Sequence, residues 1–413
     1  MVGDLGPEAI SAVGISRVIT MVVTIMIVSA TTGAFAMVAQ FIGAGSHREA
    51  SATAKQSFTL SALISILLSL LGILVTPLCL EALSLSPAVV AQATPYLRVF
   101  FAGLVFMTLN FAITNCLYGA GDARTPLYIG LLISIVKVTA SYLLIFGVWG
   151  LPRMGVTGAA LGTVIGRICG VLTGFALLYS GRFKIKLLPD TSYLPDADLA
   201  RRILRIGIPS ALQGFFRNSS SLVFVKLVAL TEASTAAVAA FSIGNQMERV
   251  LRRTSLAFGT AATTLVGQSL GARHPELAAQ RGWTTILIGV SSLILCGLPV
   301  VLFSGWIMTR FTDVPQVVHI GIVYLCAMAL AEPFMCLSII AGGALRGAGD
   351  TRPALYHTLI AQWLIRLPVG YVLAFHLGYD IDGLWAALVV FSALQGNLTL
   401  MKFKKGEWKD REI

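Results

Sequence analysis

Residues 57–80 read SFTLSALISILLSLLGILVTPLCL, a stretch that contains no charged side chain. A helix of about 20 apolar residues spans the hydrocarbon core of a bilayer, so this stretch predicts a transmembrane helix. Similar runs recur along the chain, in which 56% of the 413 residues are hydrophobic and 12% are charged. Soluble domains carry about 25% charged residues, so the composition excludes a large soluble protein.

The apolar runs predict an all-α polytopic membrane protein with eleven full spans. Spans longer than about 25 residues imply tilt or extension beyond the bilayer. The predicted spans lie near residues 10–42, 54–80, 89–118, 126–148, 156–181, 204–230, 236–270, 280–309, 316–344, 353–376 and 383–401.

Basic residues are concentrated in alternate loops and in the C-terminal tail, while the intervening loops carry only Arg153 and Arg310, with Arg98 nearby. Basic loops stay in the cytoplasm, so we expect a multi-pass protein of the plasma (inner) membrane with a cytoplasmic C-terminus. This topology accounts for the net charge of +11 without a nucleic-acid partner. The basic set is Arg48, Lys55, Arg124, Arg182, Lys184, Lys186, Arg201, Arg202, Arg205, Arg273, Arg281, Arg346, Arg352, Lys402, Lys404, Lys405, Lys409 and Arg411.

The sequence contains an internal repeat. The motif Gly119-Ala120-Gly121-Asp122-Ala123-Arg124 returns as Gly347-Ala348-Gly349-Asp350-Thr351-Arg352, an offset of 347 − 119 = 228 residues. Gln40 and Gly43-Ala44 return at the same offset as Gln268 and Gly271-Ala272. Both copies fall in cytoplasmic settings, so the halves are predicted to be parallel repeats about an axis along the membrane normal.

The repeat predicts two six-helix bundles. The span near 204–230 has no partner 228 residues earlier, because that position falls before residue 3. We therefore expect the first helix of the first bundle to be missing, either through a true truncation or through a mis-assigned start. The predicted parts are an N-terminal bundle (1–181), a cytoplasmic linker (182–203), a C-terminal bundle (204–401) and a basic cytoplasmic tail (402–413).

These motifs resemble the multidrug and toxic compound extrusion (MATE) family. The resemblance covers essentially the whole chain and is carried by the two G-A-G-D motifs, by Val266-Gly267-Gln268-Ser269-Leu270-Gly271-Ala272, and by the opening Met1-Val2-Gly3-Asp4-Leu5-Gly6-Pro7-Glu8-Ala9. It implies a V-shaped pair of bundles that exports organic, often cationic, compounds in antiport with H⁺ or Na⁺. It also implies that the protein is not an enzyme. We expect a monomer that lies in the lipid bilayer and carries a small-molecule substrate.

The coupling site is open on the sequence. The family often places its ion site on an Asp of the first helix, which is expected to be missing here, or on an acid of the seventh helix. The predicted span 204–230, which corresponds to that seventh helix, contains no acid. Glu332 lies just ahead of the position at which other family members have an Asp in the tenth helix. By elimination, Glu332 and Glu248 are the candidate ion carriers. Counting along the helices places Glu332 and Arg366 at equal depths of roughly 21 Å, so they could pair. Glu248 and Arg252 form an i,i+4 pair.

Charged and polar residues inside membrane spans default to functional candidates, with buried structural pairs or snorkelling side chains as the alternative. The candidates for the cavity and the substrate are Arg217, Asn218, Gln213, Gln246, Arg366, Gln362, Lys137, Arg167 and Asn115. In the repeated loops, Asp122 and Asp350 are expected to cap the helices that follow, and a gate of Asp–Arg pairs with Arg124 and Arg352 is the alternative. Gly158, Gly162, Gly166, Gly170 and Gly174 predict close helix packing.

No motif points to a bound cofactor or metal. No Gly-Lys dipeptide occurs, so there is no phosphate-binding loop for ATP, and the six cysteines form no C-x-x-C pair. Three other functions remain open: a lipid-linked oligosaccharide flippase, favoured by the deep basic residues; a non-coupling remnant; and a membrane-embedded enzyme, for which no catalytic constellation is present. The sequence does not identify the substrate or choose between H⁺ and Na⁺.

Overall fold

The computed structural model describes residues 6–82, 86–150, 152–181 and 184–411. Within these ranges the chain is helical and contains no strand. The first residues of the opening motif, Met1–Leu5, and the linker residue Arg182 lie outside the described ranges. The helices are α1 (Pro7–Gly43), α2 (His47–Ala82), α3 (Pro87–Ala102), α4 (Leu104–Gly119), α5 (Arg124–Phe146), α6 (Gly155–Tyr179), α7 (Ala197–Ala229), α8 (Ser234–Gly271), α9 (Pro275–Leu302), α10 (Ser304–Thr309), α11 (Pro315–Gly347), α12 (Arg352–Leu359), α13 (Leu367–Tyr371) and α14 (Asp380–Lys405).

Seven helical stretches of the described chain are long and apolar enough to cross a membrane, and an eighth qualifies if the bent pair α3–α4 is one span. The charged residues within α7 and α8 lower the hydropathy of those helices, and neither is among the seven. The bend of 45° between α3 and α4 interrupts the predicted span 89–118. The count of eleven spans stays a prediction.

Two stretches of π-helix interrupt the predicted span 353–376, at Ile360–Arg366 and at Val372–His376. A π-helix widens the turn and changes the direction of the side chains that follow it, and it is common at functional sites. The first stretch carries Gln362 and Arg366, two of the candidate residues.

The chain divides into two compact units, Met1–Ala211 and Leu212–Ile413. The first unit contains two clusters of buried apolar side chains, one around Phe58 and Cys116 and one around Leu97 and Phe101. The second unit has one larger cluster that includes Tyr324 and contains side chains from α7, α8, α9, α11 and α14. The predicted boundaries of the bundles and the linker stay predictions.

The glycine row of α6 lies against α5. A Cβ atom added at Gly158, Gly162 or Gly166 would come within 3 Å of backbone atoms of α5, at Leu144, Ser141 and Ile133 respectively. Backbones approach this closely only where a side chain is missing, which confirms the packing role predicted for the row. In the second unit the same contact joins α8 and α11, because a Cβ at Gly343 would lie 2.2 Å from the Gly259 carbonyl oxygen.

The 228-residue repeat is visible in the backbone. Gly121 and Gly349 both adopt left-handed conformations, with φ of 83° and 76°, and both follow the ends of long helices. In each copy the amide of the following Asp donates to a carbonyl five residues earlier, that of Leu117 or Leu345. Such a turn satisfies the last carbonyls of a helix, so the repeated glycines end α4 and α11 as predicted.

The two aspartates of the repeat differ in their roles. Asp122 Oδ1 accepts hydrogen bonds from the amides of Arg124 and Thr125, at 2.9 and 3.0 Å, and so caps α5 as predicted. The cap predicted for Asp350 is wrong, since no described backbone amide donates to its carboxylate. The position equivalent to Thr125 is Pro353, which has no N–H to donate.

The linker segment, residues 184–196, folds back onto the start of α2. The buried side chain of Lys55 donates to the carbonyls of Leu188 and Thr191, both at 2.7 Å. Arg48 Nε lies 3.2 Å from Asp190 Oδ2 at the same end of α2. These contacts fix the linker segment to the first unit.

The tail segment, Gly406–Arg411, folds back onto the second unit in a similar way. Trp408 is buried, stacks on Phe403 with a centroid distance of 5.0 Å and donates its Nε1–H to the Phe403 carbonyl. Lys409 Nζ lies 2.9 Å from Glu276 Oε1, at the start of α9. Arg411 Nη1 lies 3.0 Å from Asp350 Oδ1, an ion pair by distance whose N–H is not aimed at the oxygen.

Candidate functional site

The second unit holds a cluster of ionisable side chains around Tyr324 of α11. Glu248 and Arg252 of α8 form the predicted i,i+4 ion pair. The Tyr324 hydroxyl donates to Glu248 Oε2 at 2.8 Å, so the carboxylate of Glu248 has two partners.

Arg366 joins this cluster through Phe224, because the rings of Phe224 and Tyr324 both contact Trp385. Glu332 lies on α11 eight residues after Tyr324, close to two helical turns along the same face.

Glu332 is the second acid of this cluster, and one of its carboxylate oxygens lacks a hydrogen-bond partner among the described residues. Its side chain is 3% exposed, and no described group donates a hydrogen bond to its Oε2 atom. It precedes Pro333, which interrupts the backbone hydrogen bonding of α11. A buried carboxylate without a partner is costly when it is ionised and much less so when it is protonated. Glu332 is therefore placed to bind and release a proton.

Arg366 lies between aromatic rings. Its guanidinium carbon is 3.9 Å from the centroid of the Phe224 ring and 4.8 Å from that of Phe391, and its side chain is 7% exposed. The structure records no ion pair between Arg366 and Glu332, so the suggested pairing is wrong. Equal depth along two helices does not fix the direction in which each side chain points.

A hydrogen-bonded track of polar side chains lies in the same unit, on α11, α12, the first π-helical stretch and α14. Gln395 is its centre: Nε2 donates to Ser338 and Thr358, and Oε1 accepts from Gln362. The hydroxyl of Thr399 contacts Ser338 at 3.4 Å and His357 Nδ1 at 3.2 Å. Gln213, another candidate, joins at Thr358, to which its Nε2 donates at 3.1 Å.

The other candidates of the second unit lie apart from this track. Asn218 donates from Nδ2 to the Gly214 carbonyl of its own helix at 2.7 Å. Gln246 is exposed on α8. Arg217 forms no hydrogen bond or ion pair with the described residues. The charges that act on its guanidinium are the positive charges of Arg252 and Arg346. Arg352 is exposed at the start of α12.

The first unit contains three candidates that do not form one cluster. Arg167 of α6 stacks on Phe100, with 5.7 Å between the guanidinium carbon and the ring centroid, and its Nη1 atom is buried without a partner. Its backbone carbonyl accepts a hydrogen bond from Asn110 Nδ2 at 2.7 Å. Lys137 is exposed on α5, and Asn115 is half-buried on α4.

Sequence reasoning missed Tyr324, Gln395, Ser338 and Thr399. A tyrosine, a hydroxyl or a single amide in an apolar run is tolerated in a membrane helix and gives little signal. Gln395 could have been found, because it is one of two amide side chains, with Asn397, in the predicted span 383–401, and such a group needs a partner in lipid. Within the described residues no group of three or more His, Cys, Asp or Glu could hold a metal ion.

Comparisons with known proteins agree with the resemblance found in the sequence. The chain is 28% identical to the probable multidrug resistance protein NorM of Thermotoga maritima, over 100% of this chain and 88% of that protein. It is 24% identical to the uncharacterized transporter YisQ of Bacillus subtilis, over 99% of this chain and 89% of that protein.

Solved structures share the fold. One is a MOP superfamily transporter from Pyrococcus furiosus described as having a binding pocket of reversed polarity, with a TM-score of 0.89, 19% identity, and coverage of 100% of this chain and 91% of that chain. Another is a multidrug resistance MATE family transporter in an outward-facing conformation, with a TM-score of 0.89, 20% identity, and coverage of 98% and 90%. The MatE family model matches residues 1–143 and 209–372. This protein therefore belongs to the MatE family of membrane transporters, and it is a transporter, not an enzyme.

Proposed function

We propose that this transporter exports organic compounds, cationic or amphiphilic, in antiport with a cation by alternating access. The names of the multidrug resistance relatives support the substrate class. In this proposal the chain forms two bundles with eleven spans. It works as a monomer in the plasma (inner) membrane, with the C-terminal tail in the cytoplasm, and it uses no cofactor other than the coupling ion.

The single observation that carries the coupling mechanism is the Oε2 atom of Glu332, which is buried and unpaired among the described residues. The other candidate, Glu248, has its charge balanced by Arg252 and by the Tyr324 hydroxyl. Glu332 Oε2 has no such partner, so protonation stabilises the buried Glu332 side chain more than it stabilises Glu248. A proton needs one acceptor atom, whereas Na⁺ needs several oxygen ligands, and Glu332 Oε2 is the one buried and unpaired carboxylate oxygen among the described residues of this cluster. We therefore favour a proton.

Protonation of Glu332 would act on the conformational equilibrium. With Glu332 ionised, the two acids and the two arginines Arg252 and Arg366 balance; with Glu332 neutral, one positive charge is left in a buried region. A ligand shifts an equilibrium only through different affinities for its two states. The proton and the substrate would then compete through the charge of this cluster.

The test is ethidium transport by the purified protein in liposomes, with a pH gradient or a Na⁺ gradient imposed separately. We expect the pH gradient to drive transport, and Glu332→Gln to reduce it at least about tenfold. Glu248→Gln makes the same charge change in the cluster but leaves the proton-binding Glu332 in place, so it should retain transport driven by the pH gradient, with a shifted dependence on pH. Transport driven by the Na⁺ gradient alone, or full coupling in Glu332→Gln, would show that the proton assignment is wrong.

A second candidate is the movement of a lipid-linked oligosaccharide with an acidic head group. It is favoured by Arg217 and Arg167, buried or half-buried arginines that have no acidic partner among the described residues. A protein of this kind would translocate a fluorescent pyrophosphate-linked lipid between leaflets and would leave ethidium untouched under either gradient.

A further inference from the structure

The polar track of the second unit connects groups at different depths. Counted from Arg352, His357 is five residues along its helix and lies about 7 Å in; counted from Arg346, Ser338 is eight residues along α11 and lies about 12 Å in. Glu332 is fourteen residues from Arg346, about 21 Å in. The track therefore runs from the end of the unit that is predicted to be cytoplasmic toward the layer of Glu332.

Polar side chains in such a place are unusual. Ser338, Thr358, Gln362, Gln395 and Thr399 are all buried, and all lie within stretches long and apolar enough to span a membrane. Buried polar groups cost free energy unless they are hydrogen-bonded, and a network inside an apolar core is kept for specificity or for function. A packing role alone would be met by apolar side chains of the same size.

The inner end of the track has unsatisfied atoms. Gln362 Oε1, Arg366 Nε and Glu332 Oε2 are buried, and none has a hydrogen-bond partner among the described residues. Gln362 and Arg366 are one turn apart in the same π-helical stretch. One acceptor, one donor and one carboxylate without partners are groups to which water binds.

We propose that the side chains Ser338, Thr399 and His357 form the route by which the coupling proton passes between Glu332 and the cytoplasm. The proposal rests on the proposed function, in which Glu332 carries the proton.

The steps balance as a relay of single protons. The Glu332 carboxyl gives its proton to water, and the Ser338 hydroxyl accepts a proton from water while it donates its own to Thr399. Thr399 passes its hydrogen to His357 Nδ1, and the imidazole releases a proton from Nε2 to solvent. The Thr399 hydrogen now points to the Gln395 carbonyl at 2.8 Å, so the hydroxyl must rotate toward His357 at 3.2 Å before transfer.

Gln395 acts as a positioning residue. Its two amide hydrogens are directed at Ser338 at 3.3 Å and at Thr358 at 3.4 Å. Because the Gln395 amide donates to the Ser338 oxygen, the Ser338 hydroxyl is oriented with its own hydrogen toward Thr399. These N–H···O contacts are longer than the roughly 2.7–3.2 Å usual for such bonds, and the O–H···O contact between Ser338 and Thr399 is also long at 3.4 Å, so the track must tighten when it carries a proton.

The experiment measures proton movement in liposomes with a pH-sensitive dye inside. Thr399→Val and His357→Gln remove relay groups with little change of volume. Thr358→Val is the comparison variant, because the buried Thr358 hydroxyl is bonded to Gln213, Ala354 and Gln395 and, within the described chain, makes no hydrogen bond to the three relay side chains. We expect the first two variants to slow coupled proton flux at least about tenfold, and Thr358→Val to stay within about twofold. Ethidium affinity at fixed pH and the infrared band of the protonated Glu332 carboxyl should be unchanged. Ser338→Ala is a second relay variant if Thr399→Val does not fold, as judged by size-exclusion chromatography.

The outcomes separate this proposal from the proposed function. Loss of flux in Glu332→Gln and slow flux in the relay variants support both. Loss in Glu332→Gln with normal flux in Thr399→Val and His357→Gln overturns the route and leaves the function standing. Equal slowing in Thr399→Val and Thr358→Val overturns the route in favour of a packing role. Normal flux in Glu332→Gln overturns both.

Discussion

Removal of the guanidinium of Arg411 should destabilise the second unit in a pH-dependent way. The Asp350 side chain is fully buried, and burial raises the pKa of its carboxyl above the usual value of an aspartate, while Arg411 opposes that rise. Loss of one partner of a buried charge pair costs about 3–5 kcal/mol. Because the Arg411 side chain is 49% exposed and therefore screened by solvent, we expect Arg411→Ala to cost about 1–3 kcal/mol.

The sign of the pH dependence follows from the raised pKa. A carboxyl that holds its proton more tightly in the folded protein favours the folded state at low pH, and this stability is lost as the pH rises through the folded pKa. Arg411→Ala raises that pKa further, so the variant should differ more from the wild type at high pH, where the Asp350 carboxyl is ionised, than at low pH, where it is protonated.

Thermal unfolding in detergent, followed with a thiol-reactive dye, measures the effect in a background in which the exposed Cys296 and the half-buried Cys79, Cys169 and Cys326 are replaced by Ser. The two remaining thiols, Cys116 and Cys336, are buried and react only after unfolding. Asp350→Asn removes the buried charge and serves as the control background, in which Arg411→Ala should have little effect. Equal destabilisation at high and at low pH, or an undiminished effect in the Asp350→Asn background, would refute the reasoning.

Three further perturbations test the helix contacts and the linker segment. Gly162→Ala should destabilise by about 1–3 kcal/mol in the same unfolding assay, because its Cβ would meet the Ser141 backbone of α5, whereas Gly130→Ala on α5 has open space and should be neutral or stabilising. Asp122→Ala should cost about 1 kcal/mol through loss of the α5 cap; an unchanged unfolding temperature would contradict that role. Lys55→Met should leave the carbonyls of the linker segment without their donor and speed its cleavage by protease, with membrane insertion as the control.

Hydropathy predicted most of the long helices, because a bilayer allows only a helix or a closed barrel to cross it and the apolar runs here have helical length. It could not predict the bend at Gly103, since a glycine in an apolar run is also compatible with a straight helix. In the structure α6 passes close to this position, where an added Cβ would meet the side chain of Val164 at 2.2 Å. That constraint comes from another part of the chain.

The sequence was sufficient to predict which charged residues form the candidate site, but not which residues they contact. Glu332, Arg366 and the Glu248–Arg252 pair stand out because charges inside spans are rare. Which charge faces which depends on helix rotation and on the π-helical turns before Arg366, and neither has a clear sequence signal. Tyr324 provides the remaining partner of Glu248, and it looks like any other aromatic residue of an apolar helix.

The ion pairs of the linker segment and the tail segment have opposite polarity at equivalent positions. Arg48 and Glu276 are 228 residues apart and both are second residues of their helices, yet Arg48 holds an aspartate and Glu276 holds a lysine. Asp190 of the linker segment would therefore meet the like charge of Glu276 on the other half, and Lys409 of the tail segment would meet that of Arg48. If the two halves arose from one duplicated ancestor, this inversion disfavours binding of the linker segment to the second half and of the tail segment to the first half. Crossed charges in the same way keep two related coiled coils from exchanging strands.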